Sequence, residues 1–108
     1  MTDMILIYVT CASVEEAKRI GRALLTQRLC ACVNIIDKAN PLFLWPPKSG
    51  KIDESQETIL LVKTLEKKYH DVEREIIALH SYETPCIIAL PVLHVAKKYL
   101  RWLKDEIV

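Results

Sequence analysis

An α+β fold with the element order β-α-β-β-α-β and one further helix is predicted for this 108-residue chain. Three observations predict it. Short apolar blocks rich in β-branched residues occupy residues 4–11, 30–37, 56–64 and 86–92, each too brief for a lone helix. Two stretches between them repeat apolar residues at spacings of three and four, the period of a helix. The alternation makes two βαβ halves, the split βαβ arrangement.

Met4-Ile5-Leu6-Ile7-Tyr8-Val9-Thr10-Cys11 reads as a buried strand. Ser13-Val14-Glu15-Glu16 then has the form of a capping box, in which the Ser13 hydroxyl and the Glu16 carboxylate each satisfy a free amide at a helix start. Val14, Ala17, Ile20, Leu24 and Leu25 take one side of that helix and Glu15, Lys18, Arg19 and Arg22 the other, with an end near Gln27. Residues 30–37 return to strand character, and Asn40-Pro41 interrupts them because proline supplies no ladder amide. Residues 42–45 form a further piece leading into Pro46-Pro47-Lys48-Ser49-Gly50-Lys51, the clear loop tip of the chain. Residues 56–64 make the third main strand. Tyr69, Val72, Ile76 and Leu79 recur among charged residues as a second helix. Residues 81–85 turn, residues 86–92 supply the fourth strand, and Tyr99, Leu100, Leu103 and Ile107 mark a short C-terminal helix.

The whole, residues 1–108, is therefore one domain, a ferredoxin-like βαββαβ sandwich with an extra C-terminal helix. Right-handed crossovers put both main helices on one face of the sheet. Yet Ile5, Ile7 and Val9 oppose Met4, Leu6 and Tyr8 in the first strand, and Ile88 and Leu90 oppose Ile87 and Ala89 in the last. Both faces are apolar, so the second face calls for a cover, in part the last helix and otherwise self-association.

Composition narrows the function classes. Fifteen Lys+Arg against 14 Asp+Glu give a formal charge of +1, which provides no broad positive field for nucleic acid or an anionic membrane. No apolar run approaches the roughly 18 residues of a membrane helix, and Met1-Thr2-Asp3 lacks the basic start of a secretion signal, so a cytoplasmic location is expected. Cys11, Cys30, Cys32 and Cys86 are accordingly read as reduced thiols. Two glycines rule out a glycine-rich phosphate cradle, and neither a Gly-x-Ser-x-Gly elbow nor a His-Glu-x-x-His pair occurs. One phenylalanine, Phe43, argues against the RNA-binding version of this fold. No enzyme template fits.

The densest polar stretch is His80-Ser81-Tyr82-Glu83-Thr84-Pro85-Cys86. His80 either caps the preceding helix or supplies an imidazole, with Tyr82 as a stacking or hydrogen-bonding phenol and Glu83 or Cys86 as a second metal-capable atom. Cys30 and Cys32, two apart on a strand, would share a face, as core filling or as a pair for a soft ion. Lys63 shares a strand face with Glu57, which suggests an ion pair. Trp45 and Trp102 serve either packing or a cleft wall.

Taken together, Val9-Thr10, Arg28-Leu29-Cys30-Ala31-Cys32-Val33-Asn34, Trp45 with Gly50-Lys51-Ile52, Glu57, Lys63-Thr64, the 80–85 stretch and Tyr99-Leu100-Arg101-Trp102-Leu103 resemble the CutA divalent-ion tolerance family over nearly the whole chain. The resemblance implies a homotrimer formed through edge-strand pairing, and an association with tolerance of copper and other divalent cations without an established reaction. The chain departs from the family pattern at Val9, where a bacterial member carries a copper-associated cysteine, at Ser81 and Cys86, which replace a proline and a glutamate, and by the inserted Pro46-Pro47-Lys48-Ser49. Two expectations follow. One is a trimer binding copper or another divalent cation near His80, Glu83 and Cys86, without catalysis. The other is a sensor resembling the PII proteins, with an anion held between subunits by Arg28, Lys51, Lys63 and the Trp45 loop, beside Glu57 and Tyr82.

Overall fold

The computed structural model describes residues 1–108. In chain order the elements are β1 (Met4–Cys11), α1 (Val14–Thr26), β2 (Cys32–Ala39), β3 (Leu42–Leu44), β4 (Ile52–Glu54), β5 (Glu57–Leu65), α2 (Tyr69–Leu79), β6 (Ile87–Pro91) and α3 (Lys97–Glu106), with one 3-10 turn at Glu66–Lys68 leading into α2. Four strands form an antiparallel sheet in the order β2-β5-β1-β6, so the predicted βαββαβ topology is what the chain adopts.

The period-two alternation of β1 divides the molecule into two layers. Ile5, Ile7, Val9 and Cys11 meet Leu60 and Val62 of β5 on the face covered by Ala17, Ile20 and Leu24 of α1 and by Val72 and Ile76 of α2, all buried in one core. On the opposite face, α3 covers one end of the sheet, where Leu103 and Ile107 bury Met4 and Leu65 with Leu6, Tyr99 and Leu100 packed beside them. The remainder of that face is open. Ile36, Ile88 and Leu90 stay about half exposed there.

Local chemistry refines the sequence reading at α1. The Glu16 amide donates to Ser13 Oγ at 3.1 Å, as the cap requires. The returning half of the capping box lands one residue early, since Glu16 Oε1 accepts from the amide of Ala12 at 2.8 Å instead of that of Ser13. The buried stripe is Glu16, Ala17, Ile20, Gly21 and Leu24, and Leu25, expected on it, is exposed, one step of about 100° past the stripe. Gly21 permits the contact with β2, because a Cβ there would lie 3.0 Å from Val33 Cγ2.

Two further expectations are corrected. Cys30 precedes β2 and is buried in the helix-side core, whereas Cys32 pairs with Lys63, which lies under Tyr99 of α3 on the other face. The two thiols therefore do not share a strand face. Lys63 has no ion pair with Glu57, and its ammonium instead sits 5.7 Å from the centre of the Tyr99 ring, because α3 closes over that end of β5.

The segment between β2 and β5 is a projecting arm. Its strands β3 and β4 pair antiparallel in a separate two-stranded sheet, with Phe43 opposite Asp53. The register of β2 shifts between Ile36 and Ala39, where Lys38 takes φ +66°, and this irregularity bends the arm out of the main sheet. Leu42, Leu44 and Ile52 on the arm are each more than two-thirds exposed.

Candidate functional site

The open half of the second sheet face, the arm and the turn after α2 enclose a groove of about 1000 Å³. Its floor is Tyr8 and Thr10 of β1 with Glu57 at the start of β5. One wall comes from the arm, through Phe43, Trp45 and Asp53, and the other from the turn, through Tyr82, Glu83 and Cys86. The strand period explains the floor: Tyr8 and Thr10 alternate with Ile7, Val9 and Cys11, so they face away from the helices.

Glu57 is the buried acid of the groove, 9% exposed. Tyr82 donates its hydroxyl to Glu57 Oε2 at 2.6 Å, and burial followed by that carboxylate pushes the Tyr82 phenol well above the usual tyrosine range. The phenol thus stays protonated as a donor. The Cys86 thiol is also raised, by burial first and then by the charge of Glu57, with a hydrogen bond to Thr10 working in the opposite direction.

His80 ends α2 as its C-cap, with its amide on Ile76 O at 2.8 Å, and its imidazole is fully buried. Nε2 lies 2.8 Å from Thr10 O, and Nδ1 accepts from the Tyr82 amide at 3.0 Å. A carbonyl accepts only, and an amide donates only, so this arrangement selects the neutral ring protonated at Nε2. Both ring nitrogens are thereby committed to the backbone. The ring tilts against Tyr82 at 4.8 Å between centroids, and together these contacts fix the turn that carries Glu83 and Cys86.

Behind that turn lies a second cluster. One ligand-type atom each of Cys11, Glu16 and His80 fall within 4.8 Å of one another. Each is already engaged or protonated. Glu16 Oε1 accepts from Ala12 and Oε2 from the Ser81 amide at 2.9 Å, while burial, followed by the charges of Glu16 and Glu57, pushes the Cys11 thiol up to about 12. The chemistry of this trio is that of a structural knot joining β1, α1 and the turn.

The residues expected at a metal site are thus divided: Glu83 and Cys86 face the groove, while His80 lies behind them beside Cys11 and Glu16. Of the residues expected at a ligand site, Trp45, Glu57 and Tyr82 line the groove, and Lys51 lies on the exposed loop of the arm outside it. Arg28 sits after α1 at φ +56°, with its carbonyl accepting from the Val108 amide, and Lys63 lies under α3. The three cations do not converge within one chain. Among the lining residues, sequence reasoning missed Tyr8, Thr10, Phe43 and Asp53. The alternation of β1 carried the signal for the first two, and no local signal brings Asp53 to the groove.

A family model described as CutA1 divalent ion tolerance protein matches residues 5–106. A relative from Archaeoglobus fulgidus named divalent-cation tolerance protein CutA is 42% identical over 101 residues, spanning 94% of this chain and 95% of its own length. One of that name from Thermus thermophilus is 37% identical over 93% of this chain and 94% of its own. Among solved structures, that of CutA from Xylella fastidiosa aligns at TM-score 0.93 with 36% identity, covering 99% of this chain and 100% of the other. An Archaeoglobus fulgidus structure titled as a periplasmic divalent cation tolerance protein aligns at 0.90 with 41% identity, covering 95% and 97%. No helix is long and apolar enough to cross a membrane.

Proposed function

The chain belongs to the CutA1 divalent ion tolerance protein family, and from that membership we propose that it binds a divalent or soft metal cation in the acidic groove, without catalysis, as a homotrimer. The observation that carries the cation reading is the sign of the groove. Asp53, Glu57 and Glu83 line it, and no Lys, Arg or His does. A wall of that charge favours a cation and opposes an anion. The donor types are those of a metal ligand set: Glu83 and Glu57 would offer carboxylate oxygens and Cys86 a sulfur, a mixture that suits Zn(II) or copper better than a wholly hard ion. His80 acts on this site as a positioning residue, through the Tyr82 amide.

The trimer is supported by the unpaired edges of β2 and β6, the half-exposed Ile36, Ile88 and Leu90, and the apolar arm, which together leave more apolar surface than an isolated subunit usually shows. The four free cysteines suit a reducing compartment such as the cytoplasm.

Competition titration of the reduced protein with Zn(II), Cu(II) and Cu(I), weighed by native mass spectrometry, tests both parts. A trimer taking up about one ion per subunit, with affinity falling roughly tenfold or more in Cys86→Ser and in Glu83→Gln and unchanged in Lys63→Ala, is expected for thiolate and carboxylate ligation in the groove. A protein that leaves all three ions with the competing chelator refutes the metal reading.

A further inference from the structure

We propose that the aromatic lining of the groove makes it a site for a small alkylammonium ion, a ligand class beyond the inorganic cation. The inference rests on the cation-binding reading for the sign of charge only. Its own support is threefold.

The first is the wall. Of the seven aromatic residues in the chain (Phe, Trp and Tyr), four line this one groove: Tyr8, Phe43, Trp45 and Tyr82. A metal ion draws chiefly on oxygen, nitrogen and sulfur donors, which ring faces do not supply. A quaternary ammonium is weakly hydrated, and the charge and apolar substituents of any alkylammonium are both stabilised against aromatic faces. The second is size. About 1000 Å³ is room for an organic molecule, at the upper end of small-ligand sites and far beyond one coordinated ion.

The third is Glu57. It is nine-tenths buried and its Oε2 takes the Tyr82 hydroxyl, whereas Oε1 accepts no hydrogen bond from the protein. The carboxylate opens only to the groove. No side chain of the chain brings a positive charge to it, since Lys63, the lysine on the same strand face, is held under Tyr99. Oε1 is open to the groove, where a carboxylate that no positive side chain of its own chain neutralises attracts an entering cation. Tyr82 occupies Oε2 and leaves Oε1 free for such a guest.

The test uses the assembled protein in a metal chelator at constant ionic strength. Tetramethylammonium and butylammonium chloride are titrated against butanol as the uncharged control, by calorimetry and by the fluorescence of Trp45 in a Trp102→Phe background. Saturable binding of both ammonium ions is expected, with butanol roughly tenfold weaker or worse, and a loss of about tenfold in Glu57→Gln and in Trp45→Leu. The second variant alters an exposed arm position, so it reports even if Glu57→Gln fails to fold. Cys86→Ser is expected to keep ammonium affinity while losing metal uptake. Butanol binding as tightly as butylammonium, or ammonium binding indifferent to Trp45→Leu, overturns the proposal. Metal uptake without ammonium binding overturns this inference alone, and ammonium binding without metal uptake overturns the metal reading alone.

Discussion

Glu16 joins three segments through a single side chain. It accepts from Ala12 at the end of β1 and from Ser81 in the turn, and it lies 3.9 Å from His80 Nδ1 and 3.7 Å from Arg19. Burial acts to raise its pKa, but the hydrogen bonds from Ser81 and Ala12 outweigh burial and hold the carboxyl below the ordinary glutamate value. A carboxyl depressed in the folded state contributes stability that is present above its unfolded pKa and is lost as pH falls through the folded value. Urea denaturation of Glu16→Gln should therefore show a loss of about 1–3 kcal/mol at neutral pH, shrinking as the pH is taken below the glutamate range. An unchanged gap across that range would mean that charge is not what Glu16 contributes. His80→Ala removes the partners of Thr10 O and the Tyr82 amide, and should cost a similar ~1–3 kcal/mol in the same assay. The spacing of Ser13 and Glu16 made the helix start legible in the sequence, whereas the bond to Ser81, 65 residues away, has no local signature.

At the scale of elements, the close approach of α1 to β2 turns on Gly21. Alanine there gains roughly 1 kcal/mol of helix propensity but meets Val33 Cγ2 at 3.0 Å. Gly21→Ala alone is expected to lower stability by about 1 kcal/mol or more, and to raise it in a Val33→Ala background, where the opposing methyls are gone. Thermal melts of the four proteins of that cycle decide the matter, and additive effects would refute the contact as the cause. The main strands and helices were readable because their periods of two and near 3.6 are repeated over enough residues to be distinct. β4 was not, since Asp53 and Glu54 give its three residues the look of a loop and only pairing with Leu42–Leu44 makes them a strand. The bend at Lys38 was hidden for the same reason: an irregularity in pairing belongs to two strands at once.

The whole molecule measures 46 × 27 × 23 Å, elongated by an arm whose Leu42, Leu44 and Ile52 meet little of their own chain. If that surface is a contact of the proposed trimer, charges placed on it leave the subunit folded and break the assembly. Leu44→Lys with Ile52→Glu is expected to reduce the sedimenting mass toward a single subunit at micromolar concentration, with far-UV circular dichroism unchanged. A variant that sediments as the parent does would move the interface elsewhere. The apolar second face was legible from alternation in β1 and β6, and it pointed to a need for cover. The groove was legible in part, since Trp45, Glu57, Tyr82, Glu83 and Cys86 were expected at metal or ligand sites, but nothing in a one-dimensional pattern unites them in one cavity with Tyr8, Thr10 and Asp53.

The arm, the contact we propose for assembly, also supplies Phe43, Trp45 and Asp53 to the groove. Whatever pins the arm consequently shapes the groove, and in the proposed trimer guest and quaternary structure would be thermodynamically linked. If neighbours hold the arm in its binding posture, dilution must loosen the guest, and by reciprocity a saturating guest must resist dilution by the same factor. Occupancy then reports how much of this protein surrounds each copy, as well as how much ligand does.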